Sequence, residues 1–368
     1  MKFSVAREEL LKPLQVAHSV VERRQTLPIL SNVHVKTDGE GLLLTATDLE
    51  VELSARTGVL SGDSSVETTI PARKLLDLCR ASPEGSRLDF DVSPEKVVIR
   101  AGRARFTLIP MAAAEFPGID VGEARVEFEI SQGALRSLLE RAYFAMAQQD
   151  VRYYLNGMLL EVMPGGQRVV ATDGHRMAIN SAGDLSKAED VISVIVPRKT
   201  VIEVMRLLGD SENNAVVSVG GDHLTVVFDG LRFKSKLIDG AFPEYERVIP
   251  RSADKTLIAD RLELREVLGR VAIFSNEKYR AVRLDVNEDR LRVAANNAEN
   301  EEAEEEMAVE YHGAPVEVGF NVNYIVDALG AMRGDVVEIQ LSDPNSSCLL
   351  KEPGEDQPAL YVIMPMRL

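Results

Sequence analysis

The sequence predicts an α+β chain of three similar domains, residues 1-125, 126-252 and 253-368. Three observations carry this. A phrase recurs: TDLEVELSA from Thr47, then TIPARKLLDLC from Thr69; TDGHRMAIN from Thr172, then VIVPRKTVIEVM from Val194; and, more diverged, NAENEEAEE from Asn297, then VGFNVNYIVDAL from Val318. Asp48, Asp173 and Asn297 mark one place in each copy, and Phe116-Pro117 returns as Phe242-Pro243. The period, about 125 residues, is a whole domain, far longer than a solenoid unit. Within each copy, two stretches have helical periodicity and the rest alternates as strands do. The length of 368 residues suits two or three domains, each large enough for its own core.

The helices follow in order. Leu10, Leu11, Leu14, Ala17, His18 and Val21 share one face, and Pro13 predicts that this helix starts or kinks there. A shorter helix after Pro71 buries Leu75, Leu76 and Cys79. Ser131 caps a third, expected over 132–147, with Leu135, Leu138, Leu139, Ala142 and Met146 inward. A fourth follows Pro197, with Val201, Val204, Met205 and Leu208 inward. Asp260 precedes a fifth, with Leu264, Val267, Leu268 and Val271 inward, and Asn321 a sixth, with Ile325, Ala328, Leu329 and Met332 inward. Strands are expected at 42–46, 97–100, 216–219, 224–228 and 290–294, and Asp38-Gly39, Gly165-Gly166, Gly220-Gly221 and Asp229-Gly230 punctuate the chain as turns.

Composition is that of a soluble globular protein, 45% hydrophobic and 27% charged. No apolar run reaches membrane-span length and the N-terminus lacks a signal-peptide core, so a cytoplasmic location is expected. Cys79 and Cys348 lack metal spacing and read as reduced thiols. The net charge of −16 argues against affinity for nucleic acid, yet the six helical stretches carry a surplus of Lys and Arg while the remainder is acidic. If the helices share a face, that face attracts a polyanion.

Catalysis is not expected. The five histidines are scattered, and neither metal-binding, P-loop nor nucleophile-elbow motifs occur. Asp173 and His175 lie in an Asp-Gly turn without a nucleophile. No cofactor or metal is expected.

Several collinear blocks carry a resemblance: Thr26 to Leu30 (TLPIL), Pro71 to Lys74 (PARK), Gln149 to Gly157 (QDVRYYLNG), Ala171 to Arg176 (ATDGHR), Ser275 to Lys278 (SNEK) and the final Met364 to Leu368 (MPMRL). Over its whole length the chain resembles the bacterial DNA polymerase III beta subunit, the replicative sliding clamp. The resemblance implies three similar domains per chain, with antiparallel sheets outside and two helices inside each, and two chains closing head to tail into a ring around duplex DNA. Twelve helices packed about 8–10 Å apart would leave a bore of about 25 Å. Closure rather than affinity then holds the acidic protein on DNA. The implied partners are a second copy of the chain, double-stranded DNA without sequence preference, the replicative polymerase alpha subunit, the clamp loader, and other polymerases and repair proteins bearing short linear motifs. A repeat-built protein-binding scaffold that does not encircle DNA is the alternative.

The resemblance also implies site residues. Arg24, Arg73, Gln149, Arg152, Tyr153, Tyr154 and Lys199 would touch DNA, with both tyrosines polar and exposed. Leu155, Thr172, Gly174, His175, Arg176, Met177, Pro243, Arg247, Val248, Asn321, Tyr324, Ser347, Val362, Met364, Pro365 and Met366 would line a peptide-binding cleft, where flexible methionines suit varied sequences. Met177 stands where leucine is expected, and the Pro344-Asn345 loop departs from the family pattern. For subunit contacts, Lys74, Arg103, Arg105, Phe106 and Leu108 would face Ile273, Phe274 and the acidic run that includes Glu301, Glu302, Glu304 and Glu305.

Overall fold

The computed structural model describes residues 1–21, 27–38, 41–63, 65–183, 188–251, 253–354 and 359–367. Its six α-helices among these residues are α1 (Arg7–His18), α2 (Ala72–Ala81), α3 (Gln132–Glu140), α4 (Arg198–Leu207), α5 (Arg261–Val271) and α6 (Val322–Ala331). Every strand pairing among the described residues is antiparallel, and the chain is α+β. No described helix is long and apolar enough to cross a membrane. The turn expected at Asp38-Gly39 runs into residues outside the described set.

The chain divides into two compact units. One comprises 1–132 and 206–237, the other 133–205 and 238–368. In the first, a five-stranded sheet ends in Ala104–Leu108, an exposed edge strand. An eight-stranded sheet joins Val51–Thr57, from the first repeat, to Leu231–Lys236, from the second. Leu10, Leu14 and Ala17 of α1 and Leu75, Leu76 and Cys79 of α2 enter one core with Phe3 and Phe90, whose rings stack at 4.4 Å. Fully burying each such leucine contributes about 1.5–3 kcal/mol.

The second unit has a nine-stranded sheet in which Leu360–Ile363 lies between Arg176–Gly183 and Cys348–Lys351. Its four-stranded sheet ends in Glu302–Ala308, another edge. Asp260 caps α5 by accepting from the Glu263 amide, and Asn321 caps α6 by accepting from Asn323.

Of the two outcomes expected at Pro13 a helix start is excluded, and the end of the third helix needs correction. Helix α1 begins at Arg7 and runs through Pro13. Proline supplies no N–H to the Glu9 carbonyl four residues back, and that carbonyl instead accepts the Thr57 hydroxyl at 2.9 Å. Helix α3 stops at Glu140 rather than continuing to 147, and a 3-10 turn follows at Tyr143–Ala145. Asn180 Nδ2 donates to the Ser137 and Leu138 carbonyls at 3.3 and 3.1 Å, taking acceptors at the helix end.

The marker residue of each repeat has one structural role. Asp48 accepts from the amides of Glu50 and Val51, Asp173 from His175 and Arg176, and Asn297 from Glu299 and Glu301. Thr47 and Thr172 complete the first two turns alike, donating to the carbonyls of Val51 and Arg176. The repeat is thus a repeated side-chain-closed turn leading into a strand.

Candidate functional site

The turn Thr172–Arg176 is held rigidly before it can present anything. Thr172 Oγ1 donates to Arg176 O at 2.7 Å and accepts from Gly174 N at 3.1 Å, so the hydroxyl is occupied by the turn. Gly174 has φ +88°, a backbone conformation that favours glycine, and a Cβ there would crowd the Arg152 guanidinium at 3.0 Å. Asp173 binds Arg176 Nε at 3.1 Å through its second oxygen. The Arg176 guanidinium goes on to Asp327 at 2.5 Å and to the Phe144 carbonyl at 2.9 Å, and it lies 4.7 Å over the Tyr324 ring. Tyr324 in turn stacks near His175, centroids 6.4 Å apart.

Beside this turn is an apolar floor. Met177 and Val362 pair across adjacent strands and are both buried, with Leu159, Val170, Ile179, Ile195, Tyr245 and Leu349 around them. Leu155 is buried as well. Tyr245 donates to Glu161 at 2.6 Å and accepts from Arg168 at 3.1 Å. Desolvation, followed by the bond to Glu161, pushes its hydroxyl up to about 12, so it remains a neutral donor. Gly174, His175, Pro243, Arg247, Val248 and Met364 are exposed, and Arg247 pairs with Glu244 at 2.6 Å. Asn321 and Ser347 are half-buried, the former occupied as the α6 cap.

The chain end crosses this region. The strand stops at Ile363, before Pro365. Met364 N then donates to His175 O at 2.9 Å and Met366 N to Gly319 O at 2.8 Å. Met364 is left 49% exposed while its backbone is fixed, a mobile thioether on a rigid mount. Phe242, Tyr245 and Ile249 belong to the same apolar cluster and were missed from sequence. The signal was the recurrence of Phe116-Pro117 at Phe242-Pro243.

Of the residues expected to touch DNA, Arg24 lies outside the described residues. Arg73 is exposed on α2, 3.8 Å from Asp77, and Lys199 is half-buried on α4. Gln149 is exposed with φ +56°. Arg152 is exposed and ion-paired: it donates to Asp150 at 3.0 and 2.9 Å and to the Asp173 carbonyl at 3.2 Å. That pairing draws the Asp150 carboxyl down to about 2. Tyr153 is exposed, but Tyr154 packs against the apolar cluster, correcting its expected exposure.

The expected subunit surfaces lie partly on edge strands. Arg103, Arg105 and Phe106 are exposed on or beside Ala104–Leu108, and Leu108 is half-buried against the core; Lys74 is exposed on α2. In the other unit Ile273 is 73% exposed and Phe274 sits beside it. Glu304 pairs with Arg292, Glu305 with Arg270 at 2.7 Å and Glu306 with Arg290 at 3.2 Å, all within the chain. Glu301 accepts from Asn297, and Glu302 is exposed.

Three comparisons bear on these features. Residues 1–120, 129–244 and 246–367 match the N-terminal, central and C-terminal domains of the DNA polymerase III beta subunit. The chain is 50% identical to the beta sliding clamp of Pseudomonas putida and 46% identical to that of Escherichia coli, over all of each protein. It superposes on the crystal structure of the DNA polymerase III subunit beta from Pseudomonas aeruginosa with a TM-score of 0.97 at 49% identity, covering both chains fully. A DnaN sliding clamp from the same organism, bound to griselimycin, gives 0.96 at 49% identity, again with full coverage of both. The chain belongs to the DNA polymerase III beta subunit family, the beta sliding clamps.

Proposed function

We propose that two copies of this chain close head to tail into a ring that encircles duplex DNA in the cytoplasm and tethers the replicative polymerase to it. The protein is a processivity factor and not an enzyme. We assign its three domains to residues 1-125, 126-252 and 253-368, in step with the repeat. Ring closure would join the Ala104–Leu108 edge of one copy to the Glu302–Ala308 edge of the next, with Phe106 against Ile273 and Phe274. Unpaired edge strands expose a row of backbone donors and acceptors that a partner strand satisfies. Because Glu304, Glu305 and Glu306 already have arginine partners, Arg103 and Arg105 would meet Glu301 and Glu302, and apolar contact would supply most of the affinity.

The cleft is the proposed docking site for polymerase alpha subunit, clamp loader and repair proteins. The observation that carries this is the buried Met177–Val362 floor beside the exposed Met364 and Val248. Short apolar motifs fit such a groove, and a flexible methionine adapts to different sequences. A fluorescein-labelled peptide copying the C-terminus of the replicative polymerase should bind one per chain and be displaced by griselimycin. Absence of binding, or binding indifferent to griselimycin, would move the docking site elsewhere.

A further inference from the structure

The two places where one repeat's sheet joins the next have the same register. In one, Glu52 stands opposite Lys234, Leu53 opposite Phe233 and Ser54 opposite Arg232. In the other, Met177 stands opposite Val362, Ala178 opposite Tyr361 and Ile179 opposite Leu360. The 125-residue period puts Glu52 at the place of Met177, and the pairing then puts Lys234 at that of Val362. Phe233 and Tyr361, both fully buried, hold matching positions. The neighbouring strands agree too, with Thr45 opposite Ser54 where Val170 is opposite Ile179.

The chemistry differs. Lys234 Nζ lies 2.8 Å from Glu52 Oε1, and Glu52 is only 5% exposed. Glu52 also accepts from the Ile119 amide at 2.8 Å, and Lys234 donates to the Ile119 carbonyl at 3.0 Å. The pair therefore laces down the segment following Phe116-Pro117 by both of its backbone groups. The Thr45 and Ser54 hydroxyls bond each other at 2.9 Å. A groove of about 620 Å³ remains here, lined by His34, Glu52, Phe116, Ile119, Arg232 and Lys234 among others. An apolar side chain settling on this floor would strip a buried ion pair of its partners, which is costly. At the equivalent place in the cleft it meets Met177 and Val362.

We propose that the first joint is a second copy of the peptide cleft, and that the Glu52–Lys234 pair closes it to apolar motifs, confining the chain to one docking site. This rests on the reading of the second joint as that site. Three proteins test it, titrated with the labelled polymerase peptide and counted by native mass spectrometry: the wild type; Thr45→Val with Ser54→Ile; and those two changes with Glu52→Met and Lys234→Val. The pair is removed together so that neither charge is left buried alone. One, one and two peptides per chain are expected. Should the fourfold variant lose its fold around Ile119, as judged by amide exchange there, Glu52→Met with Lys234→Val alone carries the test, and a second peptide bound at least tenfold more weakly than the first is expected. One peptide on the folded variants without the pair, or two on the protein that keeps it, overturns the proposal. A wild type that binds none refutes the cleft reading instead.

Discussion

Arg176 donates to Asp327 at 2.5 Å, tying the turn that opens one strand of the cleft to the helix that carries Tyr324. The same guanidinium is held by Asp173 and the Phe144 carbonyl and lies over the Tyr324 ring. Arg176 is expected to line the proposed cleft, and its head group also ties three parts of its surroundings together. Arg176→Ala should therefore destabilise the protein by about 2–3 kcal/mol, the scale of hydrogen bonds to a charged group. It should also weaken peptide binding, read by denaturation and anisotropy. Unchanged stability with weakened binding would make Arg176 a direct ligand.

The chain end is the second test. Removing Met364 to Leu368 takes away the two backbone bonds to His175 and Gly319 and the exposed thioether of Met364. Peptide affinity should fall at least about tenfold, roughly 1.4 kcal/mol, while the dimer persists in sedimentation. Undiminished affinity would reduce the tail to ordinary sheet.

Contacts with DNA separate by side chain. Arg73→Ala should lower the salt dependence of binding by about one unit of slope, as a phosphate contact does. Gln149→Ala should weaken contact with primed DNA without changing the dimer's mass. Arg152→Ala should leave the slope nearly unchanged and weaken peptide binding, because Arg152 serves the Asp173-Gly174 turn. A loss of slope for Arg152→Ala equal to that of Arg73→Ala would return it to the phosphate-binding set.

Asp150 supplies a pH test. Its hydrogen bonds from Arg152 hold the folded carboxyl near 2 against an ordinary 3.8. A depressed carboxyl stabilises the folded loop above its unfolded value, and that contribution disappears as pH falls from about 3.8 to about 2. A carbon-detected titration of Asp150 should show a midpoint near 2, moving toward 3.8 in Arg152→Ala. A wild-type midpoint near 4 would mean the pair does not hold in solution.

The subunit contact is tested by Ile273→Ala with Phe274→Ala, which should leave folded monomers. The exposed Ile273 makes the prediction direct: burying it is what dimerisation would gain. A tight dimer of this variant would place the interface elsewhere.

What was legible in the sequence was local or periodic. The side-chain-closed turns at Asp48, Asp173 and Asn297, the apolar faces of the six helices and the alternating strands all follow from short-range rules. Which of the two outcomes Pro13 gives was not legible, because the donor to the Glu9 carbonyl that Pro13 leaves free is Thr57, far along the chain. The carbonyls at the early end of α3 likewise find a donor in Asn180, far along the chain. The expected exposure of Tyr154 was misjudged, and the intrachain partners of Arg152 and of the acidic run were not legible, for one reason: a side chain's surroundings depend on groups that folding brings from a distance. Asp173, the apolar cluster, and Arg270 and Arg292 are those partners.

The central claim, that topology rather than affinity holds this acidic protein on DNA, is tested by loading it onto a nicked circular duplex and isolating the complex by gel filtration at moderate salt. The protein should co-elute with the circle and be released when a single restriction cut linearises the DNA. Equal retention on circular and linear DNA, or none on either after loading, would contradict a sliding ring.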